Sequence, residues 1–351
     1  MSNGLSVILT NRNEAMCVFT CKRILESATC PVQVIVVDDG STRALRDMPA
    51  EVLMIEQPEP IGLAYCRDVG MLAAKHEACL VLDAHMNFHD DDWAPYCRDF
   101  AIDNPRALGC AVSVHLDSDP GNTPAQQMDM VHRWTVVNQG REKEPRGRSK
   151  YYGARIELRD PKYFRPFPCK WNGRYQDLIA DGTPGTIQTI LWGAYVLNRQ
   201  WYIDGLKRPW ELNRGWGTSE QTISIPNWLC GGESMLLPVE IGHQYRTGNR
   251  VRVPYSVSER MEEAILWNRW KIVETLPMSR AITQGLHAML RDAHPADLDR
   301  YHNMLARFGE YLLQIRAYRD YLGSQPRTMA DYFERWDMDT ALPSLDEMGD
   351  N

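Results

Sequence analysis

The apolar positions of the first hundred residues alternate between short continuous hydrophobic runs and stretches of helical period, the pattern of βαβ units around a largely parallel sheet. Leu5 to Leu9 predicts a strand, Glu14 to Ser27 a helix, and Val32 to Val37 a second strand ending in Asp38, Asp39 and Gly40. Gly62 to Lys75 predicts another helix, and Ala78 to Leu82 a third buried strand that ends at Asp83. Ligands of open α/β sheets bind beyond the carboxyl ends of the strands, so Asp39 and Asp83 stand where a ligand is expected.

From about Asp117 to Gly185 the periodicity fades into a stretch rich in Pro, Gly, Arg and aromatic residues, which reads as long functional loops with a short hairpin. Thr189 to Leu197 predicts a further strand, and Glu220 to Cys230 a helix stopped by Gly231 and Gly232. After Ser256 the pattern is helical to the end. Leu298, Tyr301, Leu305, Phe308, Leu312 and Ile315 follow spacings of 3, 4, 3, 4 and 3, one apolar stripe on a long helix. The expected organisation is an α/β domain over 1–277 and a helical extension over 278–351.

Composition sharpens this only in part. With 351 residues and 44% hydrophobic content, the chain has enough to bury one large core and a smaller appended unit. Met1 to Asn13 lacks a basic start ahead of a long apolar stretch, and no window reaches the roughly 18 apolar residues of a membrane span. The expectation is a soluble, unprocessed protein with no membrane partner. Nine cysteines, an odd number without a C-x-x-C pair, point to reduced thiols in a cytoplasmic compartment. The net charge of −7 is uneven, since residues 141–174 hold eleven Lys or Arg against four Asp or Glu.

Two motifs carry candidate chemistry. V-I-V-V-D-D-G-S-T at Val34 to Thr42 places two carboxylates and a turn after a buried strand, where Asp39 can accept from a uracil imide or ribose hydroxyls. Taken alone it is equally a strand-end Asp capping the next helix. V-L-D-A-H at Val81 to His85 sets Asp83 and His85 two apart, so in an extended chain both reach one divalent ion. A mixed oxygen and imidazole set suits Mn²⁺ better than Ca²⁺, although a bare D-x-H is more often a loop-end Asp with an incidental His. Asp90, Asp91 and Asp92 read as a solvated helix start before Trp93.

Taken in order, the motifs resemble the catalytic domains of polypeptide N-acetylgalactosaminyltransferases and, at the front end, the wider family of inverting GT-A transferases. L-S-V-I-L-T-N-R-N-E-A at Leu5 to Ala15 is similar to that family's first strand and asparagine-glutamate turn. G-L-A-Y-C-R-D-V-G at Gly62 to Gly70 is similar to its glycine-leucine-arginine helix, and D-A-H to its D-x-H metal motif. Trp216 to Gly232 resembles its W-G-G-E-N segment ending in W-x-C-G-G, and I-G-H-Q-Y-R at Ile241 to Arg246 its G-H-x-x-R. The resemblance covers roughly Leu5 to Trp270, and a motif series kept in order is far more specific than any single motif.

The resemblance implies a GT-A fold, a mixed sheet flanked by helices with the helical extension behind it, and a UDP-sugar as donor. It implies that Asp83, His85 and His243 hold the metal, Mn²⁺ with Mg²⁺ as the alternative. Thr10 and Asp39 would hold the nucleoside, Arg246 would approach the diphosphate and Trp216 would wall the donor site. Arg67 is a weaker phosphate candidate, because the family's arginine before Gly-Leu is replaced here by Pro60 or Ile61. Glu220 falls one position after the family's glutamate and is the candidate for donor-sugar contact, or for the base that an inverting reaction needs. The metal would neutralise charge developing on the departing diphosphate.

For the acceptor, residues 141–174 interleave Tyr151, Tyr152, Tyr163, Phe164, Phe167 and Trp171 with their cations, a composition that nucleic-acid grooves use. Relatives of this fold in bacterial viruses glycosylate hydroxymethylated pyrimidines, and DNA ranks narrowly first. A solvated basic loop explains the same residues about equally well. The alternatives are Ser or Thr of a polypeptide, a small glycan, or a sugar-nucleotide-binding protein without activity.

Overall fold

The computed structural model describes residues 4–88, 92–115, 150–160, 165–191, 193–244, 259–292 and 298–341. Ten strands form one mixed sheet: β1 Leu5–Asn11, β2 Val32–Asp38, β3 Leu53–Glu56, β4 Ala78–Asp83, β5 Met86–Phe88, β6 Ala107–His115, β7 Lys150–Tyr151, β8 Gly185–Ile187, β9 Ala194–Asn198 and β10 Glu233–His243. Its order is β8-β10-β6-β9-β4-β1-β2-β3, with β5 beside β10 and β7 beside β6. β4, β1, β2 and β3 run parallel, as the alternating apolar runs predict, while β9 inserts antiparallel between β4 and β6. All seven residues of β1 are buried, which is why its sequence is a continuous apolar run rather than an alternation.

Helices cover both faces. α1 Met16–Ser27 and α3 Trp93–Asp103 pack on one face through Cys17, Cys21, Ile24, Trp93 and Phe100. α2 Leu63–Ala73, α4 Ser219–Leu229 and the C-terminal helices share a second cluster on the other face. Those last helices are α5 Glu259–Thr275, α6 Arg280–Asp292, α7 Leu298–Phe308, α8 Leu312–Gly323 and α9 Met329–Arg335. Trp267, Leu276, Met278, Leu286 and Met304 belong to this single buried cluster, so packing continues without interruption across position 277.

Two expectations need correction. The strand predicted from Thr189 begins only at Ala194, because Gly193 adopts φ +80° and turns the chain before it can run extended. The long helix predicted from Leu298 to Ile315 is two helices joined by a tight turn at Gly309–Tyr311. Glycine is a poor helix interior residue, and the break still leaves Met304, Phe308 and Ile315 buried in one cluster.

Candidate functional site

The carboxyl ends of the strands bring the sequence candidates together. Thr10 is the register partner of Asp83 across β1 and β4. β10 ends beside β5, with His243 opposite Met86, and the Gln244 backbone N–H donates to the His85 carbonyl at 3.1 Å. His243 Nε2 thereby lies 3.1 Å from His85 Nε2 and 3.5 Å from Asp83 Oδ2, with the two imidazoles stacked at 4.8 Å between centroids. All three ligand atoms fall within 4.8 Å of one another, the one such group of His, Cys, Asp and Glu found among the described residues. Neighbouring ligands of an ion with bonds of about 2.1 Å sit about 3 Å apart, so the donor set fits a divalent cation.

The turn that carries His85 is fixed from behind by α1. Buried Thr20 places its Oγ1 3.0 Å from the Ala84 and Met86 carbonyls and accepts from the Met86 N–H at 3.1 Å. A Glu14 carboxylate oxygen lies 3.7 Å from His85 Nδ1, which leaves Nε2 as the ring atom facing the cluster. Burial, followed by the neighbouring His243, pushes the His85 imidazole down to about 4, so the ring is neutral at neutral pH and one of its nitrogens offers a lone pair.

Asp83 is held on both sides. Its Oδ1 accepts from Arg67 Nη2 at 3.0 Å, and although burial opposes the charge, the hydrogen bond from His243 and the Arg67 cation keep its carboxyl far below the usual range. Gly193 stands against the other oxygen. A β-carbon there would lie 2.4 Å from Asp83 Oδ2, and the Gly193 carbonyl accepts from the Asp83 N–H at 3.0 Å. Arg67 itself is 1% exposed, donates to Ser219 Oγ at 3.2 Å, meets Glu220 Oε1 at 3.4 Å, and faces the Tyr195 and Trp210 rings. The phosphate-binding reading of Arg67 is therefore redirected: the guanidinium is a buried counter-ion beneath Asp83 and Glu220. Glu220 Oε1 also accepts from the Tyr195 hydroxyl at 2.8 Å.

On the β1–β2 side, the two carboxylates of the D-D-G turn divide their work. Asp38 is the turn-closing residue, accepting from the Ser41 N–H at 2.9 Å and from the Asn11 side chain. Asp39 directs Oδ1 to the N–H groups of Ile61 and Gly62 at 2.6 and 2.9 Å. Gly62, at φ +133°, forms a parallel bridge with Gly215, where a β-carbon would lie 2.2 Å from the Gly215 nitrogen. The G-L motif is thus needed for backbone contact. Thr10 is buried with its Oγ1 unmatched by any partner among the described residues, as expected of a hydroxyl facing a ligand.

Trp216 is 56% exposed on the loop entering α4. That loop is pinned by α5: Asn268 accepts from the Arg214 N–H and donates to the Arg214, Trp216 and Gly217 carbonyls. Arg246 lies outside the described residues, as does 245–258. Sequence reasoning missed Gly193, Tyr195, Thr20 and Asn268. Only Gly193 left a signal, a glycine inside an apolar run.

Within the basic segment 141–174, the described parts are 150–160 and 165–174. Lys150 pairs with Glu240 at 2.7 Å and Lys170 with Glu157 at 2.5 Å, while Arg155 and Arg159 donate to the Trp336 and Ala341 carbonyls. Trp171 is exposed beside Tyr151. These four cations serve internal contacts, while Arg141, Lys143, Arg146, Arg148 and Lys162 of the expected nucleic-acid groove lie outside the described residues. All nine cysteines are free thiols, and among the described residues no helix is long and apolar enough to cross a membrane.

A mixed sheet with a D-x-H turn at the carboxyl end of a parallel strand, completed by a histidine from a later strand, defines the GT-A class of fold. Residues 6–170, a little under half of the chain, match the family Glycosyl transferase family 2. Over 283 residues it is 26% identical to Polypeptide N-acetylgalactosaminyltransferase 8 of Drosophila melanogaster, covering 76% of this chain and 42% of that protein. Over 244 residues it is 23% identical to Polypeptide N-acetylgalactosaminyltransferase 10 of Mus musculus, covering 64% and 34%. The chain therefore spans well under half the length of these relatives. A crystal structure of GalNAc-T7 with UDP, GalNAc and Mn²⁺ superposes with a TM-score of 0.60 at 18% identity, covering 95% of this chain and 57% of that one. That likeness establishes the fold.

Proposed function

We propose that this chain is a metal-dependent glycosyltransferase that moves a sugar, an N-acetylhexosamine, from UDP to the hydroxyl of a Ser or Thr in a polypeptide. The observation that carries the reading is the convergence of Asp83, His85 and His243, with Thr10 alongside, at the carboxyl edge of the sheet. The names of the sequence relatives favour a polypeptide acceptor over hydroxymethylated DNA.

In this reading Asp83, His85 and His243 would hold Mn²⁺, with Mg²⁺ as the alternative, which would supply positive charge beside the diphosphate of the donor. Thr10 and the second oxygen of Asp39 meet the nucleoside, and Trp216 covers the donor. Arg67 fixes Asp83 and Glu220 relative to one another through its planar fork. Glu220, oriented by Tyr195 as well, is the carboxylate assigned to the transferred sugar. Arg246 completes the set from beyond the described residues by approaching the diphosphate.

An acceptor panel tests this. The chain is incubated with Mn²⁺, a set of UDP-sugars, and a Ser/Thr peptide, hydroxymethylated DNA or unmodified DNA, and the products are read by mass spectrometry. A gain of one N-acetylhexosamine on the peptide, abolished in His243→Ala, is expected. Transfer confined to hydroxymethylated DNA refutes the polypeptide reading, and no metal-stimulated turnover of any UDP-sugar refutes the transferase reading.

A further inference from the structure

A cleft of about 520 Å³ opens where the C-terminal helices meet the carboxyl end of β1. One wall is made of Arg12, two residues beyond Thr10, together with Gly62 and Gly215. The other wall comes from the chain after α6, with Arg307 and Phe308 at the end of α7 and Tyr311 in the tight turn that follows. Between them lies Arg214, its guanidinium 5.2 Å from the Tyr65 ring and 4.8 Å from the Tyr311 ring. Its Nη1 donates to the Glu211 and Asn213 carbonyls at 2.9 and 2.8 Å, which holds the group in one orientation.

The chemistry of this cleft selects its occupant. The lining holds three arginines, Arg12, Arg214 and Arg307, and one carboxylate, Glu59, with Glu263 pairing to Arg307 at 3.0 Å, so cationic groups outnumber acidic ones. Arginine planes and tyrosine rings suit a flat, polar, hydrogen-bonding ring attached to an anion, which describes a nucleotide. The volume falls in the range of small-ligand sites. The cleft adjoins Ile61 and Gly62, the residues that Asp39 holds by their backbone, whereas the Asp83 cluster belongs to β4 and β10. A donor whose diphosphate meets the metal cluster would extend its nucleoside toward this side.

We infer that the C-terminal helices of this chain supply the second wall of the nucleotide cleft, with Arg307 and Tyr311 contacting the nucleoside of the donor and setting its affinity. This rests on the UDP-sugar reading above. Arg307 is exposed, and Tyr311 is half-buried beside the Trp267 ring.

Calorimetric titration of the full chain tests it, using UDP with and without Mn²⁺ and UMP without metal. Arg307→Glu and Tyr311→Ala each weaken UDP and UMP by about tenfold, the loss of one charge-assisted or stacking contact. The ratio of UDP affinities with and without Mn²⁺ stays that of the unaltered chain, because the metal cluster is untouched. Arg316→Glu, on the exposed face of α8, binds as the unaltered chain does. Unchanged affinity in Arg307→Glu and Tyr311→Ala overturns the inference and leaves the transferase reading standing. An equal loss in Arg316→Glu also overturns it, by assigning the effect to net charge. Failure of the unaltered chain to bind UDP at all overturns both.

Discussion

Gly193→Ala is the sharpest perturbation of the candidate metal site, because it adds one carbon and removes no polar group. At φ +80° an alanine sits in the left-handed region, a strain of about 1–2 kcal/mol, which lowers Tm by about 2–6 °C in a protein of this size. The larger effect is local. The new β-carbon would stand 2.4 Å from Asp83 Oδ2 and 2.7 Å from its Cγ, roughly 1 Å inside ordinary contact. The backbone of Gly193 cannot retreat freely, since its N–H donates to the Tyr195 hydroxyl and its carbonyl accepts from Asp83, both at 3.0 Å. The carboxylate must therefore swing, while Arg67 restrains its other oxygen. A shift of that size takes Oδ2 out of a bond of about 2.1 Å and weakens metal binding by about 10–100-fold. The assay is Mn²⁺ titration in the presence of UDP, with thermal unfolding alongside. Gly182→Ala is the matched control: φ is also +80° there and no atom lies within 4 Å of the added carbon, so it shows the strain without the metal effect. Wild-type Mn²⁺ affinity in Gly193→Ala would refute the assignment of Asp83 Oδ2 as a ligand.

Arg67→Met leaves the Asp83 and Glu220 carboxylates without their shared cation, and a fall in stability of about 3–5 kcal/mol by denaturant titration is expected. Arg67→Lys recovers little, because one ammonium cannot reproduce the fork, and full recovery would count against the shared-cation account. Thr20→Val keeps the volume but removes the hydroxyl that grips Ala84 and Met86, so Mn²⁺ affinity drops about tenfold with the fold intact; unchanged affinity would show that the turn holds His85 unaided. Lys271 is 3% exposed, bonded to Asn213 Oδ1 at 2.5 Å, and burial followed by Arg214 pushes its ammonium down to about 7. The unfolded chain then binds more protons between pH 7 and about 10.4, so this group makes stability rise with pH across that interval and adds no slope below about pH 7, where both states are protonated. Lys271→Met removes that slope, and identical pH profiles for the two proteins would refute it.

The parallel half of the fold was legible in the sequence because strands buried on both faces must be continuous apolar runs, and β1, β2 and β4 follow theirs within two residues. The turn residues Asp39 and Asp83 were legible for the same reason, since a polar residue ending such a run marks the edge of the sheet. The third member of the cluster was not derivable from pattern: His243 is 158 residues from His85, and only the pairing of β5 with β10 brings the two nitrogens within 3.1 Å. A local pattern likewise could not separate Asp38 from Asp39, or show that Arg67 lies beneath the carboxylates instead of facing a phosphate. Those roles depend on which backbone N–H groups and which buried partners the fold places alongside. The division of the helical tail shows the same limit. Spacing alone placed Leu298 to Ile315 on one stripe, but the break at Gly309 follows from the shape of the surface that Met304, Phe308 and Ile315 must cover together. Periodicity is a property of the chain and determines which side of an element is buried. What each buried or edge residue meets is settled by contacts between segments far apart in sequence, and those exist only in the tertiary structure.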